Sequence, residues 1–386
     1  PQAKEGTPEF RFNWNSPFVI SHFDPKTLYL GGNVLFRFTN RGDAWEVISP
    51  DLTTRDPDKM VTSGSSAENH CTIVAVSESP KDRNVLWAGT DDGNVQFTRD
   101  GGKSWTKADV PTRGMWVSRV QASNHDSARA YVAVDGHRSD DFHPYLYATD
   151  DAGKTWRSIV RDLPANHPIK GLREDPVNPS LLFVGTEFGI FMSLDRGEHW
   201  QSLKENLPTV AVDDIQIHPR EHDLIIGTHG RSIYVMDDIS PLEQLTSDRM
   251  KNAAVLFTPR PVTEFYSLPI GGLWGAHEFR AKNPPSGASI TYWLRDDSKD
   301  DVELSIEDPK GTLVRELDAT SHKGFNRVGW DLRGDPLDVI GEGRSEDDQP
   351  PLVPAGDYVV KMKYGDFKAE TKLRVESLIS PTPSSP

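Results

Sequence analysis

The first two thirds of the chain alternates short apolar runs with polar turns. Runs such as TIVAV, VLWAG, AYVAV and LLFVG are rich in β-branched and aromatic residues, and Gly, Pro, Asn or Asp lie between them. Such runs predict short β-strands joined by tight turns. The 30 glycines and 29 prolines also suit many turns and few long helices. We therefore predict an all-β protein.

A repeated octamer, Ser/Thr-x-Asp-x-Gly-x-x-Trp, organises these strands. Three full copies and one weaker copy occur, and they read TRDGGKSW at residues 98–105, TDDAGKTW at 149–156, SLDRGEHW at 193–200 and FTNRGDAW at 38–45. The spacing of their final tryptophans is close to the length of a four-stranded propeller blade, roughly 40–50 residues. The repeat therefore predicts a β-propeller.

Each octamer is expected at the hairpin between the third and fourth strands of a blade. Its Asp can accept hydrogen bonds from turn amides, its Gly can adopt positive φ, and its Trp can fill the gap to a neighbouring strand. These are structural roles, because a calcium-binding loop would need a more regular series of carboxylates. The pattern predicts five blades over residues 12–239, and the fifth lacks the Gly and the Trp of the octamer.

The octamers resemble the Asp-box, or BNR, repeats of sialidases, two-propeller xyloglucanases and the sortilin (Vps10) luminal domain. Longer segments, such as REDPVNPSLLFVGTEFGIF and HDLIIGTHGRSIYVMDD, are similar to large bacterial proteins described as BNR-repeat, sortilin-like or glycosyl-hydrolase-like. The resemblance covers residues 10–375, and in that family the similar segment is the C-terminal part of a longer chain. It implies a β-propeller in a secreted, periplasmic or cell-envelope protein.

The pattern changes after residue 239. Residues 240–275 read as an extended connector, and alternating runs such as YVVKMKY predict half-buried strands over residues 276–376. We expect this second domain to be an immunoglobulin-like β-sandwich of roughly 100 residues. Residues 1–11 read as an N-terminal extension, and the Pro- and Ser-rich residues 377–386 are expected to form a disordered tail.

Charge and composition narrow the choice of partners. The net charge of −15 argues against binding to nucleic acid, which needs clustered Lys and Arg, and leaves cations, proteins and neutral glycans open. No apolar run is long enough for a membrane span. The single cysteine, Cys71, excludes an intrachain disulfide. No cofactor and no bound metal are predicted.

The face of the propeller opposite the octamers carries the candidate functional residues. Paired carboxylates there could act as acid and base, or acid and nucleophile, in glycoside cleavage, and the candidates are Glu68, Asp91, Asp140, Glu187 and Asp213. Aromatic rings can pack on a sugar, and His or Arg can bind polar groups. The ligand-binding candidates are Trp14, His70, Trp116, Arg119, His137, Arg138, Arg173, His229 and Arg231.

The loop DGHRSDD, at residues 135–141, is the most informative of these segments. A metal ion could use one His and two Asp. An ion pair of Arg138 with Asp140 or Asp141 is the preferred interpretation, so a chelator should leave the melting temperature unchanged.

The motifs of known enzymes are matched only in part. Sialidases need three Arg that converge on a carboxylate; Arg119, Arg173 and Arg231 could converge, but the Arg-Ile-Pro opening of those enzymes is absent. The twin catalytic Asp of the xyloglucanases cannot be mapped, although Asp213 is a conceivable substitute for one. The leading hypothesis is therefore a glycan- or protein-binding or scaffold propeller, and the alternative is a glycoside hydrolase.

The first and last blades of the predicted propeller indicate that the sequence does not contain all of it. The fifth blade has no clear fourth strand before SPLEQL, and a single short run, PEFRFNW, precedes the first blade. Two exposed sheet edges would be an aggregation liability. We expect that Pro1 is not the biological start and that an upstream segment or a second polypeptide completes the propeller.

Overall fold

A computed structural model describes residues 9–60, 68–204, 206–264, 286–297, 300–334 and 350–377. It divides into two compact units, Pro1–Met236 and Asp237–Pro386. The expected disordered tail lies almost entirely outside the described residues. The finer domain boundaries drawn from the sequence remain predictions.

Five antiparallel sheets, called blades 1 to 5 here, make up the first unit. Blade 1 contains β1 (Phe18–Ile20), β2 (Leu28–Gly31), β3 (Leu35–Thr39) and β4 (Ala44–Val47). Blade 2 contains β5 (Ile73–Glu78), β6 (Leu86–Thr90), β7 (Val95–Thr98) and β8 (Thr106–Lys107). Blade 3 contains β9 (Trp116–Ala122), β10 (Ala130–Asp135), β11 (Tyr145–Thr149) and β12 (Arg157–Ser158).

The last two blades continue the pattern with one difference. Blade 4 contains β13 (Ile169–Glu174), β14 (Leu182–Thr186), β15 (Gly189–Ser193) and β16 (Gln201–Ser202). Blade 5 contains only β17 (Val212–Ile217), β18 (Leu224–Thr228) and β19 (Ile233–Met236). In each blade consecutive strands pair in chain order, as in a β-propeller, so the prediction of an all-β, propeller-type fold is confirmed.

The second strands of blades 2 to 4 are apolar on both faces because a sheet covers each face. One face of β6 joins a core with blade 1 through Leu86 and Ala88, while Trp87, on the other face, joins a core with blade 3. A strand buried on both sides needs a continuous apolar run rather than an alternating one. This explains why VLWAG and LLFVG read as unbroken apolar segments.

The octamers form turns that their own side chains stabilise. Asp100 accepts hydrogen bonds from the Ser104 amide (2.9 Å) and the Ser104 hydroxyl (2.6 Å), and Gly102 has a φ of 98°. Asp151 and Asp195 accept equivalent bonds from the fourth residue after each of them. The predicted role of the octamer Asp is confirmed.

The octamer tryptophans lie between blades but differ in burial. The indole Nε1–H of Trp105 donates to Ile48 O of blade 1 (2.9 Å), and that of Trp200 donates to Ile159 O of blade 3 (2.8 Å). Trp200 is buried, and Trp105 and Trp156 are partly buried, as expected for side chains that fill the gap to a neighbouring strand. The fourth strand of these blades has two residues, which leaves the outer rim partly open.

Two buried carboxylates join pairs of blades. Glu78 of blade 2 accepts hydrogen bonds from the hydroxyls of Ser21 and Tyr29 and from the amide of His22, all in blade 1. Glu174 of blade 4 accepts the same set from blade 3, namely Ser123, Asn124 and Tyr131. Buried charge is tolerated here because each carboxylate has three donors.

The second unit has two sheets around one core. One sheet contains β20 (Ala254–Leu256), β22 (Ala288–Leu294) and β25 (Gly324–Trp330), and the other contains β21 (Val262–Thr263), β23 (Val302–Glu307), β24 (Leu313–Leu317), β26 (Gly356–Tyr364) and β27 (Phe367–Glu376). Ile290, Trp330, Val360 and Leu373 are buried in the shared core. The immunoglobulin-like assignment remains a prediction.

Helical structure is limited to short turns in the described ranges. They are α1 (Ser240–Gln244) and the 3-10 turns at Asn40–Gly42, His137–Ser139 and Arg249–Lys251. None of the helices described is long and apolar enough to span a bilayer.

Candidate ligand-binding cavity

The first strands of all five blades line one cavity of 1030 Å³ in the first unit. Residues of β1, β5, β9, β13 and β17 contribute to its wall. First strands lie nearest the axis of a propeller, so their side chains meet at the centre. The cavity is therefore the place where side chains from distant parts of the sequence can act on one ligand.

A β-bulge recurs where the first strand pairs with the second in blades 2 to 5. The extra residue of the bulge is not paired, and the residues in this position are Val74, Ser118, Lys170 and Asp213. All four line the cavity. A bulge redirects a side chain out of the ladder, and this local irregularity places Lys170 and Asp213 in the cavity.

Lys170 is the centre of a charged cluster on one wall. Its ammonium lies 2.9 Å from Asp135 Oδ2, 3.1 Å from Glu187 Oε2 and 3.0 Å from His137 Nδ1. Asp135 is buried and also lies 2.7 Å from His137 Nδ1. Lys170 thus contacts both carboxylates of this cluster, and they share its single positive charge.

Arg119 and Arg173 lie together on the next part of the wall. Arg119 Nη2 donates to Asp214 Oδ1 (2.8 Å) and to Asp213 O (3.2 Å), but its buried Nε has no hydrogen-bond partner among the described residues. Arg173 Nε donates to Ile215 O (2.9 Å). Burial, together with the nearby charge of Arg119, lowers the pKa of Arg173 to about 10, and Asp214 opposes this only in part.

The charged side chains of the cavity wall differ in whether they form ion pairs. Asp213 lies 3.1 Å from His229 Nδ1, so the carboxylates of Asp135, Glu187, Asp213 and Asp214 all have a basic partner. Arg173 and Arg138, by contrast, form no ion pair within the described ranges. Unpaired guanidinium groups in a partly desolvated cavity favour a negatively charged ligand group.

Eight of the fourteen residues predicted from the sequence line this cavity, and they are Trp116, Arg119, His137, Arg138, Arg173, Glu187, Asp213 and His229. The other six do not belong to its wall, and they are Trp14, Glu68, His70, Asp91, Asp140 and Arg231. Packing of blades, which the repeat pattern does not specify, separates the two groups. Only two of the five candidate carboxylates, Glu187 and Asp213, face the cavity.

Asp91 lies outside the cavity, in a buried group of hydrogen-bonded side chains. It is buried and accepts hydrogen bonds from the Thr72 amide (2.9 Å) and the Thr72 hydroxyl (2.6 Å), with His70 Nδ1 at 3.5 Å. Burial raises the pKa of Asp91 above its ordinary value. Glu68 is exposed and forms a β-bridge with Asn13 beside this cluster. These side chains tie the start of β5 to the neighbouring loops.

The loop DGHRSDD does not contain the ion pair that was preferred from the sequence. The guanidinium of Arg138 lies over the ring of Trp116 (4.6 Å to the centroid), and no ion pair with Asp140 or Asp141 is present in the described structure. Asp141 binds His143 and Tyr145 instead, and these bonds lower its pKa, with the Tyr145 bond the largest contribution. An aromatic face can compete with an exposed carboxylate for a guanidinium. No cluster of His, Cys, Asp or Glu with metal-binding geometry occurs among the described residues.

Sequence reasoning missed Asp135 as a site residue. It ends β10 directly before Gly136 and is the buried partner of both His137 and Lys170. The signal was its place in the repeat, because an Asp or Glu at the end of the second strand also occurs as Asp91 and Glu187. The predicted aromatic contact of Trp14 is also not part of the site, since this ring is exposed outside the cavity.

Comparison with known proteins leaves the family open. No protein-family model and no curated protein matches the sequence. Solved structures that resemble the chain include the GH74 enzyme of Niastella koreensis, with 13% identity and a TM-score of 0.43 over 56% of this chain and 35% of that one. PorZ, a surface component of the type-IX secretion system of Porphyromonas gingivalis, has 15% identity and a TM-score of 0.41 over 93% of this chain and 51% of that one. YCF48 bound to D1 peptide has 18% identity and a TM-score of 0.38 over 55% of this chain and 62% of that one. The chain thus matches about a third to three fifths of the length of these proteins.

Proposed function

We propose that the first unit is an extracytoplasmic binding or scaffold propeller whose central cavity holds a negatively charged group of a glycan or of a protein segment. The observation that carries the proposal is the pair Arg119 and Arg173. One has a buried Nε without a partner, and the other has no carboxylate partner among the described residues. A ligand carboxylate, sulfate or phosphate would supply the missing acceptors.

Other features support binding rather than catalysis. The acidic groups of the cavity are held by Lys170, His229 and Arg119. A general acid has to be protonated, and a carboxylate beside a basic side chain is held in its ionised form, so it is poorly suited to that role. The Asp side chains of the octamer turns, which resemble Asp-box repeats, accept hydrogen bonds from within their own turns. These bonds support a structural rather than a catalytic role for the octamers.

The test is binding of the whole chain to arrays of acidic oligosaccharides and acidic peptides, with the neutral forms of each as controls. We expect one acidic class to bind, with Arg173→Met weakening the affinity at least about tenfold and with weaker binding at high salt. Arg37→Met, a guanidinium of blade 1 outside the cavity, is the matched control. Equal binding of acidic and neutral ligands, or no effect of Arg173→Met, contradicts the proposal.

A glycoside hydrolase is the second candidate because Glu187 and Asp213 are both partly exposed in the cavity. If the chain hydrolyses a glycan, Glu187→Gln and Asp213→Asn should each abolish product formation while binding is retained. Product formation that survives both substitutions excludes these two residues as the catalytic pair.

A further inference from the structure

One face of blade 1 is apolar throughout, and no sheet formed by the described residues packs against it. Strand register aligns its side chains in two rows, Phe18–Leu30–Phe36–Val47 and Ile20–Leu28–Phe38–Trp45. Phe10 and Phe12 cover Phe36, but Phe18 is 61% exposed, Ile20 56% and Trp45 42%. We call this surface the open face of blade 1.

The same positions are buried in the other blades. In the second strand, the residues equivalent to Leu28 and Leu30 are Leu86 and Ala88 in blade 2, Leu182 and Val184 in blade 4, and Leu224 and Ile226 in blade 5. All six are buried, whereas Leu28 and Leu30 are only half-buried. The preceding blade covers this face in blades 2, 4 and 5, so the open face of blade 1 has the composition of a blade interface.

The indole N–H of Trp45 also lacks the partner that a preceding blade would provide. In two of the three full octamers the Trp, Trp105 or Trp200, donates to a carbonyl that follows the fourth strand of the preceding blade, whereas Trp156 donates to Gly153 O of its own turn. Trp45 has no blade before it among the described residues, and its ring packs edge-on against Phe10 and Phe36. A preceding blade would supply the missing carbonyl.

The face of blade 5 that points away from blade 4 is also uncovered in the described structure. A glycine in the second strand of blades 1, 2 and 4 receives an aliphatic side chain from the first strand of the next blade, and the pairs are Gly31–Ile73, Gly89–Val117 and Gly185–Val212. A Cβ placed on the equivalent Gly227 would meet only its own strand neighbour Asp214, no closer than 3.6 Å. Ile233 and Val235 of β19, beside it, are 67% and 53% exposed.

The two vacant surfaces border one gap. Phe18 and Ile20 of blade 1 and Asp213 and Gln216 of blade 5 line the same cavity, yet no hydrogen bond joins the two blades in the described structure. We propose that this gap is the docking site of a further propeller blade from a separate polypeptide segment.

The structure specifies the chemistry of this blade. Its first strand carries an aliphatic side chain that fills the space over Gly227, as Val212 does over Gly185. Its second strand carries an aromatic ring toward blade 1, because Tyr29, Trp87, Tyr131 and Phe183 occupy that position at the existing interfaces. The carbonyl after its fourth strand accepts the Trp45 indole N–H. Burial of the exposed side chains of the open face of blade 1, such as Phe18, Ile20 and Trp45, drives the association.

Thiol labelling tests the proposal in the whole chain, because its single cysteine, Cys71, is buried. Phe18→Cys and Val235→Cys report on the two surfaces, and Val117→Cys, buried between blades 2 and 3, is the matched control. In the chain alone we expect the first two thiols to react quickly and the third only on unfolding. Phe18→Cys that reacts as slowly as Val117→Cys means that the ring is already closed, and this overturns the proposal.

The blade itself is supplied by adding a second copy of residues 164–211, or of residues 108–163, ahead of residue 9. We expect at least one of these blades to slow labelling at Phe18→Cys by about tenfold or more, while a Gly/Ser extension of equal length does not. Unchanged labelling in both extended chains overturns the proposal. So does a discrete dimer of the unextended chain that protects both thiols, since the occupant would then be a second copy.

Discussion

The phenolic hydroxyl of Tyr131 in blade 3 donates a hydrogen bond of 2.9 Å to Oε1 of Glu174 in blade 4. Both side chains are buried, and burial followed by the charge of Glu174 raises the pKa of Tyr131 well above its usual range. Tyr29 and Glu78 form the same contact between blades 1 and 2, at 3.0 Å. The contact is therefore a repeated element of blade-to-blade adhesion.

Removal of this hydroxyl should destabilise the first unit. Tyr131→Phe leaves the buried Glu174 carboxylate with one donor fewer, and we expect a loss of about 1–3 kcal/mol in the free energy of unfolding, measured with urea. Tyr147→Phe is the matched control because its hydroxyl is 3.4 Å from Pro111 O, a long contact, and we expect a change within about 0.5 kcal/mol. Equal effects of the two substitutions contradict the role of the Tyr131 contact.

Two glycines in equivalent positions should respond differently to a methyl group. A Cβ at Gly185 would lie 2.4 Å from Val212 O, so Gly185→Ala forces blade 5 away from blade 4 and should cost about 1–3 kcal/mol. A Cβ at Gly227 meets nothing closer than 3.6 Å, so Gly227→Ala should change the stability by less than about 0.5 kcal/mol. Thermal unfolding of the two variants side by side checks the prediction, and a destabilised Gly227→Ala would show that its outer side is already covered.

The octamer tryptophans should contribute in proportion to burial. Trp200 is 7% exposed and hydrogen-bonded to blade 3, so Trp200→Ala should cost about 3–5 kcal/mol. Trp45 is 42% exposed in the chain alone, so Trp45→Ala should cost about half of that or less. Urea unfolding followed by circular dichroism gives both values. A larger loss for Trp45 than for Trp200 would be inconsistent with an uncovered blade 1.

The octamer carboxylates should affect stability in acid. Hydrogen bonds from the Ser104 hydroxyl, the Ser104 amide and the Thr98 hydroxyl lower the pKa of Asp100 to about 2, from an ordinary value of 3.8. A depressed pKa in the folded state means that the stabilisation is present above pH 3.8 and is lost as the pH falls through about 2. Asp100→Asn should therefore flatten the dependence of the unfolding free energy on pH in this window.

Asp151 provides an independent repeat of this measurement, because Thr155 lowers its pKa to about 2 in the same way. Asp109→Asn, which lies outside the octamers, controls for the change in net charge. If the unfolding free energy of Asp100→Asn depends on pH as steeply as that of the unsubstituted chain, the loss of stability in acid does not come from Asp100.

Sequence reasoning predicted the elements whose causes are local. The octamer turn depends on contacts between residues at most four positions apart, such as Asp100 with Ser104, and these are visible in the repeat itself. The strands follow from runs that are apolar because a sheet covers each face, as in Leu86–Thr90. The number and order of blades therefore came from the chain alone.

The composition of the cavity was decided by the tertiary structure. Asp91 and Glu187 occupy similar places in the repeat, yet one is buried beside Thr72 and the other faces the cavity with Lys170. Arg138 lies over the ring of Trp116 rather than pairing with Asp140, because only the folded blade brings the turn after β10 next to the start of β9. The vacancy at Gly227 likewise exists only in three dimensions: its sequence environment is that of Gly185, and what differs is the absence, among the described residues, of a neighbouring strand to fill it.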